Sequence, residues 1–331
     1  MKTLLYNGKI WLGKRYFAES VGFDDESGKI IFVGNVVSRG KTKYDISIDL
    51  MGKFVMPAFS DGHVHLFKGA MVNNEVDLRY AATREEFRNN ILGYKTKIGN
   101  DGWLTGGYFS ETNFKENFEV NKFLLDDICP DIPVVIFRTD LHSVICNTKA
   151  LNAIGIESRE GEFLHEELIT DSKNVLTGEL KERAMYFALK FIPEKSRDEK
   201  QKILLDEIHR LHAFGITSVT DISWREDLDV YSSLYSKNLL RLRINSVVPF
   251  DEFEKIGEYK QEFSDYKGFI RFGGFKAFYD GSLSSRAALF YDTYKDSSYN
   301  GLRTEMVTSG QFREIGSLID KAGFQIVVHA I

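Results

Sequence analysis

From position 216 onward the chain settles into a regular alternation, and this rhythm restricts its possible folds more than any other feature. Residues 216–222, 240–248, 269–278 and 324–329 are apolar, β-rich runs. Between them, 227–236, 251–263 and 311–322 carry helical periodicity. Strands separated by helices of this length pair in parallel, because a parallel crossover needs about a dozen residues and a helix to cover the sheet. A further apolar run at 54–59 ends in Asp61-Gly62-His63-Val64-His65 and reads as a buried strand delivering polar groups at its C-terminal end. Taken as the first of the series, it makes five strands. An eight-stranded barrel takes about 250 residues, and this chain spends 1–50 and 70–200 on other structure. The expected barrel is therefore three strands short.

The other segments differ in kind. Residues 3–6, 9–12, 19–23, 30–33 and 46–50 read as short strands, with turns at Asn7-Gly8 and Ser27-Gly28. Residues 70–200 read as mainly helical, with one clear strand at 133–137. Thr83 with Glu86, and Ser196 with Glu199, match the capping box that opens a helix. The second of these helices is predicted to run to Phe214 and stop at Gly215.

Composition excludes several function classes. The 331 residues carry 43 Lys and Arg against 48 Asp and Glu, a net charge of −5, which offers no electrostatic footprint for nucleic acid. No stretch approaches the roughly 20 apolar residues of a membrane helix, and the start lacks the pattern of a secretory leader. Two cysteines, Cys129 and Cys146, make no disulfide framework. The expectation is a cytoplasmic protein acting on a small molecule, with no nucleic-acid or membrane partner and with a homodimer left open.

His63-Val64-His65 is the strongest chemical signal. Residues i and i+2 of a strand face the same side, so both imidazoles can point into one cavity and share one metal ion. Barrel active sites stand at this C-terminal end. Alone, a His-x-His is also compatible with two surface histidines.

The surrounding string, Val55-Met56-Pro57-Ala58-Phe59-Ser60-Asp61-Gly62-His63-Val64-His65-Leu66, closely resembles the first-strand motif of the amidohydrolase superfamily. Ala58 replaces the usual Gly and Ser60 the usual branched apolar residue; neither departure removes a ligand. Further stretches resemble the YtcJ-like branch, amidohydrolase family 3. They are Phe137-Arg138-Thr139-Asp140-Leu141-His142, Thr177-Gly178-Glu179-Leu180-Lys181-Glu182, Gly215 through Asp221, and Phe275-Lys276-Ala277-Phe278-Tyr279-Asp280-Gly281-Ser282.

The resemblance implies an α/β chain: an incomplete TIM-like (β/α)8 barrel, the N-terminal part of a small β-sandwich, and a large α+β insertion after the first barrel strand. The boundaries follow as 1–52 for the sandwich part, 53–69 for the first strand and metal motif, 70–200 for the insertion, and 201–331 for barrel strands two to five. It implies His63, His65 and His329 as metal ligands. Lys276 would join them, either carbamylated and bridging two ions or acting directly at the site, with pairing to a carboxylate such as Asp280 as the plain alternative. Asp280 would orient Lys276, contact substrate or simply form a turn. His142 and Glu182 would reach the site from the insertion, each with a structural role as the alternative. Asp221 is a candidate for orienting a ligand histidine. His209 and His212 read as structural, and His165 as solvated. Tyr108, Phe109, Phe114 and Phe118 would serve either an apolar substrate group or the insertion's own core.

The implied chemistry is hydrolysis of an amide, N-acyl or formamide-like C–N bond by metal-activated water. Zinc suits the histidine and oxygen ligands, in one or two ions, with iron, manganese and nickel also open. The family's eighth-strand aspartate and sixth-strand histidine would lie beyond Ile331. The chain therefore reads as a fragment, inactive alone, since a barrel open at its fifth strand exposes unpaired edges. The rival readings are a non-catalytic ligand-binding module and hydrolysis of another bond, such as an ester.

Overall fold

The computed structural model describes residues 1–35, 42–99, 102–266, 268–283, 286–295 and 297–331. Its contacts divide the chain into two units, Met1–Ser60 with Gly215–Thr217, and Asp61–Phe214 with Ser218–Ile331.

The first unit is built from β1 (Lys2–Tyr6), β2 (Lys9–Trp11), β3 (Phe17–Ala18), β4 (Ser20–Asp24), β5 (Lys29–Gly34), β6 (Ile46–Asp49) and β7 (Phe54–Val55). They form a four-stranded sheet, β5-β4-β1-β6, and a three-stranded sheet, β3-β2-β7. Asn7 takes the left-handed conformation, φ 56°, that the Asn-Gly turn calls for. A small core of Ile10, Ala18 and Val21 is backed by Leu5, Leu50 and Val55. The run at 54–59 is not one strand, as expected from its apolarity. It breaks after Val55, and β8 (Phe59–Val64) begins beyond Pro57. Proline has no N–H for a ladder and constrains the residue before it.

The second unit opens with α1 (Leu66–Asn73), β9 (Val76–Asp77), α2 (Arg84–Ile98), β10 (Leu104–Phe109), α3 (Lys122–Ile128), β11 (Val134–Arg138), β12 (Ser143–Cys146), α4 (Thr148–Ile154), β13 (Leu168–Thr170), β14 (Leu176–Lys181), α5 (Glu182–Leu189) and α6 (Arg197–Ala213). Both capping boxes are present, at Thr83–Glu86 and Ser196–Glu199. The expectation of one strand here is corrected: β9 to β14 form a six-stranded sheet in the order β13-β14-β12-β11-β10-β9. These strands are short, and β12 is buried along its whole length, so period-two alternation is lost. In β10 the pair Gly106-Gly107 imitates a turn. At Gly106, φ 119°, a Cβ would stand 2.6 Å from the Val76 carbonyl oxygen, so glycine is what lets β10 lie against β9. Apolar cores form around Phe87, Leu125 and Ile136, and around Val135, Val144 and Leu151. Phe109, Phe114 and Phe118 surround Phe87 with ring centroids 5.7, 6.3 and 5.9 Å away, so these aromatics are the insertion's own core.

The chain continues through β15 (Ile216–Ile222), α7 (Arg225–Ser236), β16 (Arg243–Pro249), α8 (Ile256–Ser264), β17 (Ile270–Phe278), α9 (Glu305–Thr308), α10 (Gln311–Lys321) and β18 (Gln325–His329). The sheet order is β18-β17-β16-β15-β8, and the pairs from β15 through β18 are parallel. The expected helix at 251–263 is a 3-10 turn, Phe250–Lys255, followed by α8.

One irregularity decides which way β17 presents its residues. Ser246 faces Phe272 and Val247 faces Gly274, which leaves Gly273 as an extra, bulged residue. A bulge shifts the side-chain alternation by one. Phe272 and Phe275, three apart, accordingly meet edge to face at 5.3 Å on the side of Tyr259 and Phe263 of α8. Lys276 is thereby delivered to the opposite face. At Gly274, φ 140°, a Cβ would stand 2.0 Å from the Gln325 carbonyl oxygen. Gly274→Ala is expected to destabilise the chain by more than about 1 kcal/mol. Gly93→Ala, in open space on α2, should stabilise it by about 0.5–1 kcal/mol. Urea melts read both, and an unmoved midpoint for the Gly274 variant would show that the bulge does not depend on glycine.

Candidate active site

His63 is the penultimate residue of β8, and His65 lies one residue past the strand, where it caps α1 without a side-chain bond to the helix. The two rings stand 6.0 Å apart, edge to face, so the end of β8 brings both imidazoles to one place. Burial pushes the His65 pKa below its ordinary value; nearby Asp221 opposes this, and His63, Lys68 and Lys276 reinforce it. A depressed histidine is neutral at pH 7, with a ring nitrogen free to donate a lone pair.

Asp221, on β15, does not hold an imidazole. Its Oδ1 accepts the Leu66 N–H at 2.6 Å, and its Oδ2 accepts the Ser223 and Tyr231 hydroxyls at 2.5 and 2.8 Å. It fixes the backbone immediately after His65 instead. Past Asp221 the chain turns through Ser223 and Trp224. The Trp224 indole stacks on the His65 ring at 5.7 Å and 25°, and the Trp224 N–H is accepted by Asp227 at the start of α7, 2.8 Å away.

Lys276 is buried on β17, and loss of solvent pulls its pKa down. Among the described residues no carboxylate pairs with it; its Nζ lies 5.0 Å from the Phe278 ring centroid. Phe278 also faces His329 of β18, 5.6 Å away. The proposed pairing of Lys276 with Asp280 is not what forms. Asp280 is buried and accepts the backbone N–H of Leu289 at 2.7 Å and of Ile331 at 3.3 Å, with His329 Nε2 at 3.9 Å from its Oδ1. His329 Nε2 also lies 3.2 Å from the Gly281 carbonyl oxygen.

His142 and Glu182 lie together elsewhere, at the edge of the insertion sheet where β11 and β14 end and β12 begins. His142 Nδ1 is 3.0 Å from Glu182 Oε1, both side chains largely exposed. Glu182, Leu141 and Tyr108 all have positive φ here, 45°, 62° and 59°. Among the described residues no hydrogen bond or ion pair links this pair to His63, His65, Lys276 or His329. His212 Nε2 meets the Arg241 carbonyl at 3.1 Å, a structural contact, and His165 is exposed.

A divalent metal suits this donor set in kind. Two imidazoles share a strand end, one of them held neutral, and the sheet adds a buried lysine and a third histidine. Among the described residues, no three His, Cys, Asp or Glu side chains gather closely enough to enclose an ion. Sequence reasoning missed Trp224, Asp227 and Tyr231. The available signal was Ser223-Trp224, an aromatic directly past a barrel strand's C-terminal end.

Comparison with known proteins agrees with this layout. The family model described as an amidohydrolase family matches residues 47–331. Protein LONG AFTER FAR-RED 3 of Arabidopsis thaliana is 28% identical, over 99% of this chain and 58% of its own length. YtcJ of Bacillus subtilis (strain 168) is 26% identical, over 100% of this chain and 64% of its own. This chain thus spans less than two thirds of either relative. The crystal structure of an uncharacterized metal-dependent hydrolase from Pyrococcus horikoshii shares the fold, with a TM-score of 0.72 at 24% identity, over 100% of this chain and 65% of that one. Among the described residues no helix is long and apolar enough to cross a membrane.

The buried network carries a pH dependence. Burial, with Asp221 and Glu226 nearby, raises the Asp227 pKa from 3.8 to about 7. The folded state therefore keeps a proton that the unfolded state gives up. The associated stability is complete below about pH 4 and is lost as pH rises to about 7. Three pKa units correspond to at most about 4 kcal/mol, reduced by up to about 1 kcal/mol because the helix N-terminus favours the charged form. Asp227→Asn keeps an acceptor for the Trp224 N–H and cannot ionise. Melts from pH 4 to 8 should show the variant matching the wild type at pH 4 and surpassing it at pH 8; parallel curves would contradict the buried-acid assignment.

Proposed function

The chain belongs to the amidohydrolase family, and from that premise we propose that it serves in a metal-dependent hydrolase that opens a C–N bond, an amide, N-acyl or formamide linkage, with water. The observation that carries the proposal is the His63–His65 pair at the end of β8, one ring held neutral, beside a buried lysine that has no carboxylate partner among the described residues. On this reading the sheet is the first five strands of a TIM-like barrel, which the shared fold supports. His63, His65 and His329 would hold the ion, zinc being the natural match for imidazole donors. When bound, such an ion polarises a carbonyl and lowers the pKa of a water to about 7.

The chain's own residues have distinct parts. His65 stays neutral because burial opposes a second charge near Lys276 and His63. Loss of solvent lowers the Lys276 pKa, which makes its neutral amine more accessible than that of an exposed lysine. That form can add to carbon dioxide, losing a proton to become an anionic carbamate oxygen donor. Phe278, against both Lys276 and His329, limits water on that side. Asp280 fixes the loop after β17 through backbone N–H groups and holds His329 beside it. His142 and Glu182 would meet substrate from the insertion.

Metal content of the purified chain, by plasma mass spectrometry, tests the reading. The wild type should carry at least about one ion per chain, and the His63→Ala, His65→Ala double variant essentially none. In a full-length version of the protein, release of free amine from N-acyl and formamide substrates, measured against matched esters, should favour the amides and fall more than about 100-fold in the double variant. A folded wild type that holds no metal would sink the proposal and favour a ligand-binding module; equal ester cleavage would remove the C–N assignment alone.

A further inference from the structure

Histidines that bind metals ordinarily have their second ring nitrogen held by a carboxylate or carbonyl, which fixes the ring's rotation. His65 lacks that support. Among the described residues no hydrogen bond reaches its ring. The carboxylate best placed to give one, Asp221, is spent on the Leu66 N–H and on the hydroxyls of Ser223 and Tyr231. His65 also lies beyond the last residue of β8, so the sheet's pairing does not set its direction.

What does touch the ring is an indole. Trp224 stacks on His65 at 5.7 Å and 25°. It is 43% exposed, so burial in a core does not account for its position. Its backbone is fixed from two sides. The Ser223 N–H donates to the Val247 carbonyl at 2.9 Å, and the Trp224 N–H to buried Asp227 at 2.8 Å. We propose that Trp224 is the positioning residue of His65. Its indole face fixes the imidazole plane in the role a hydrogen-bonding carboxylate usually fills, so that a ring nitrogen stays aimed at an ion shared with His63. The inference rests on the metal reading of that histidine pair.

The same geometry makes Trp224 a reporter. The chain has three tryptophans; replacing Trp11 and Trp103 with Phe leaves one indole, beside His65. Cobalt(II), a paramagnetic stand-in for zinc, should quench its emission on binding, and the quench should vanish in the His63→Ala, His65→Ala background. With tryptophan otherwise native, Trp224→Ala should weaken cobalt affinity in a chelator competition by about 10–100-fold while the metal-free melting temperature stays near wild type. Trp224→Phe, which keeps a flat ring, should restore most of the affinity. Wild-type affinity in Trp224→Ala, or equal losses in the Ala and Phe variants, overturns the positioning role and leaves the metal reading intact. A folded wild type that binds no cobalt overturns both.

Discussion

The candidate centre depends on one buried carboxylate. Asp221 is inaccessible to solvent, and burying an unpaired carboxylate would cost several kcal/mol. Three donors meet it: a backbone N–H from the start of α1 and two hydroxyls. Desolvation still raises its pKa, and the three hydrogen bonds pull the other way. The bond to Leu66 joins positions 155 residues apart in sequence. It fixes the peptide just beyond His65 to the end of β15, so two strand ends are set in one step. Asp221→Asn would turn an acceptor into a mixed group and leave at least one of those buried donors without its partner.

Around this carboxylate the ionisable groups are pushed toward neutrality from both directions. Desolvation raises the acids Asp221 and Asp227 and lowers the bases His65 and Lys276. The bulge at Gly273 places the lysine here, because in unbroken alternation of these same residues Lys276 would share the face of Phe272, against α8. A base whose pKa is lowered gives up its proton more readily than its exposed counterpart.

Some of this was legible in the residues. Ser and Thr caps with Glu three positions later mark both helices, because capping is a local interaction. The strand–helix alternation after 216 was legible for the same reason. The insertion sheet was not. Its strands are short, one is buried throughout, and Gly106-Gly107 reads as a turn until the close approach of Val76 is seen. Pro57 announced the break between β7 and β8, but the apolarity of the surrounding residues outweighed it. The Asp221–Leu66 bond and the Trp224–His65 stack join distant segments, and no periodicity encodes such pairs. Gly273-Gly274 was visible, yet only pairing with β16 shows that one glycine is a bulge.

The two polar assemblies of the second unit differ in what sustains them. Around Asp221 the groups are buried and satisfied, so the network and the fold support each other. At the insertion edge the charges are open to solvent. His142 and Glu182 are more than half exposed, and the Glu111 partner of Arg138 is 41% exposed. Exposed ion pairs contribute about 0–1 kcal/mol. Three left-handed residues at the same edge, Tyr108, Leu141 and Glu182, cost on the order of 1–3 kcal/mol each. The ion pairs do not offset that strain; the apolar cores around Phe87 and Val144 must. The histidine–glutamate contact at this rim is therefore held by the packing beneath it rather than by its own charge pairing.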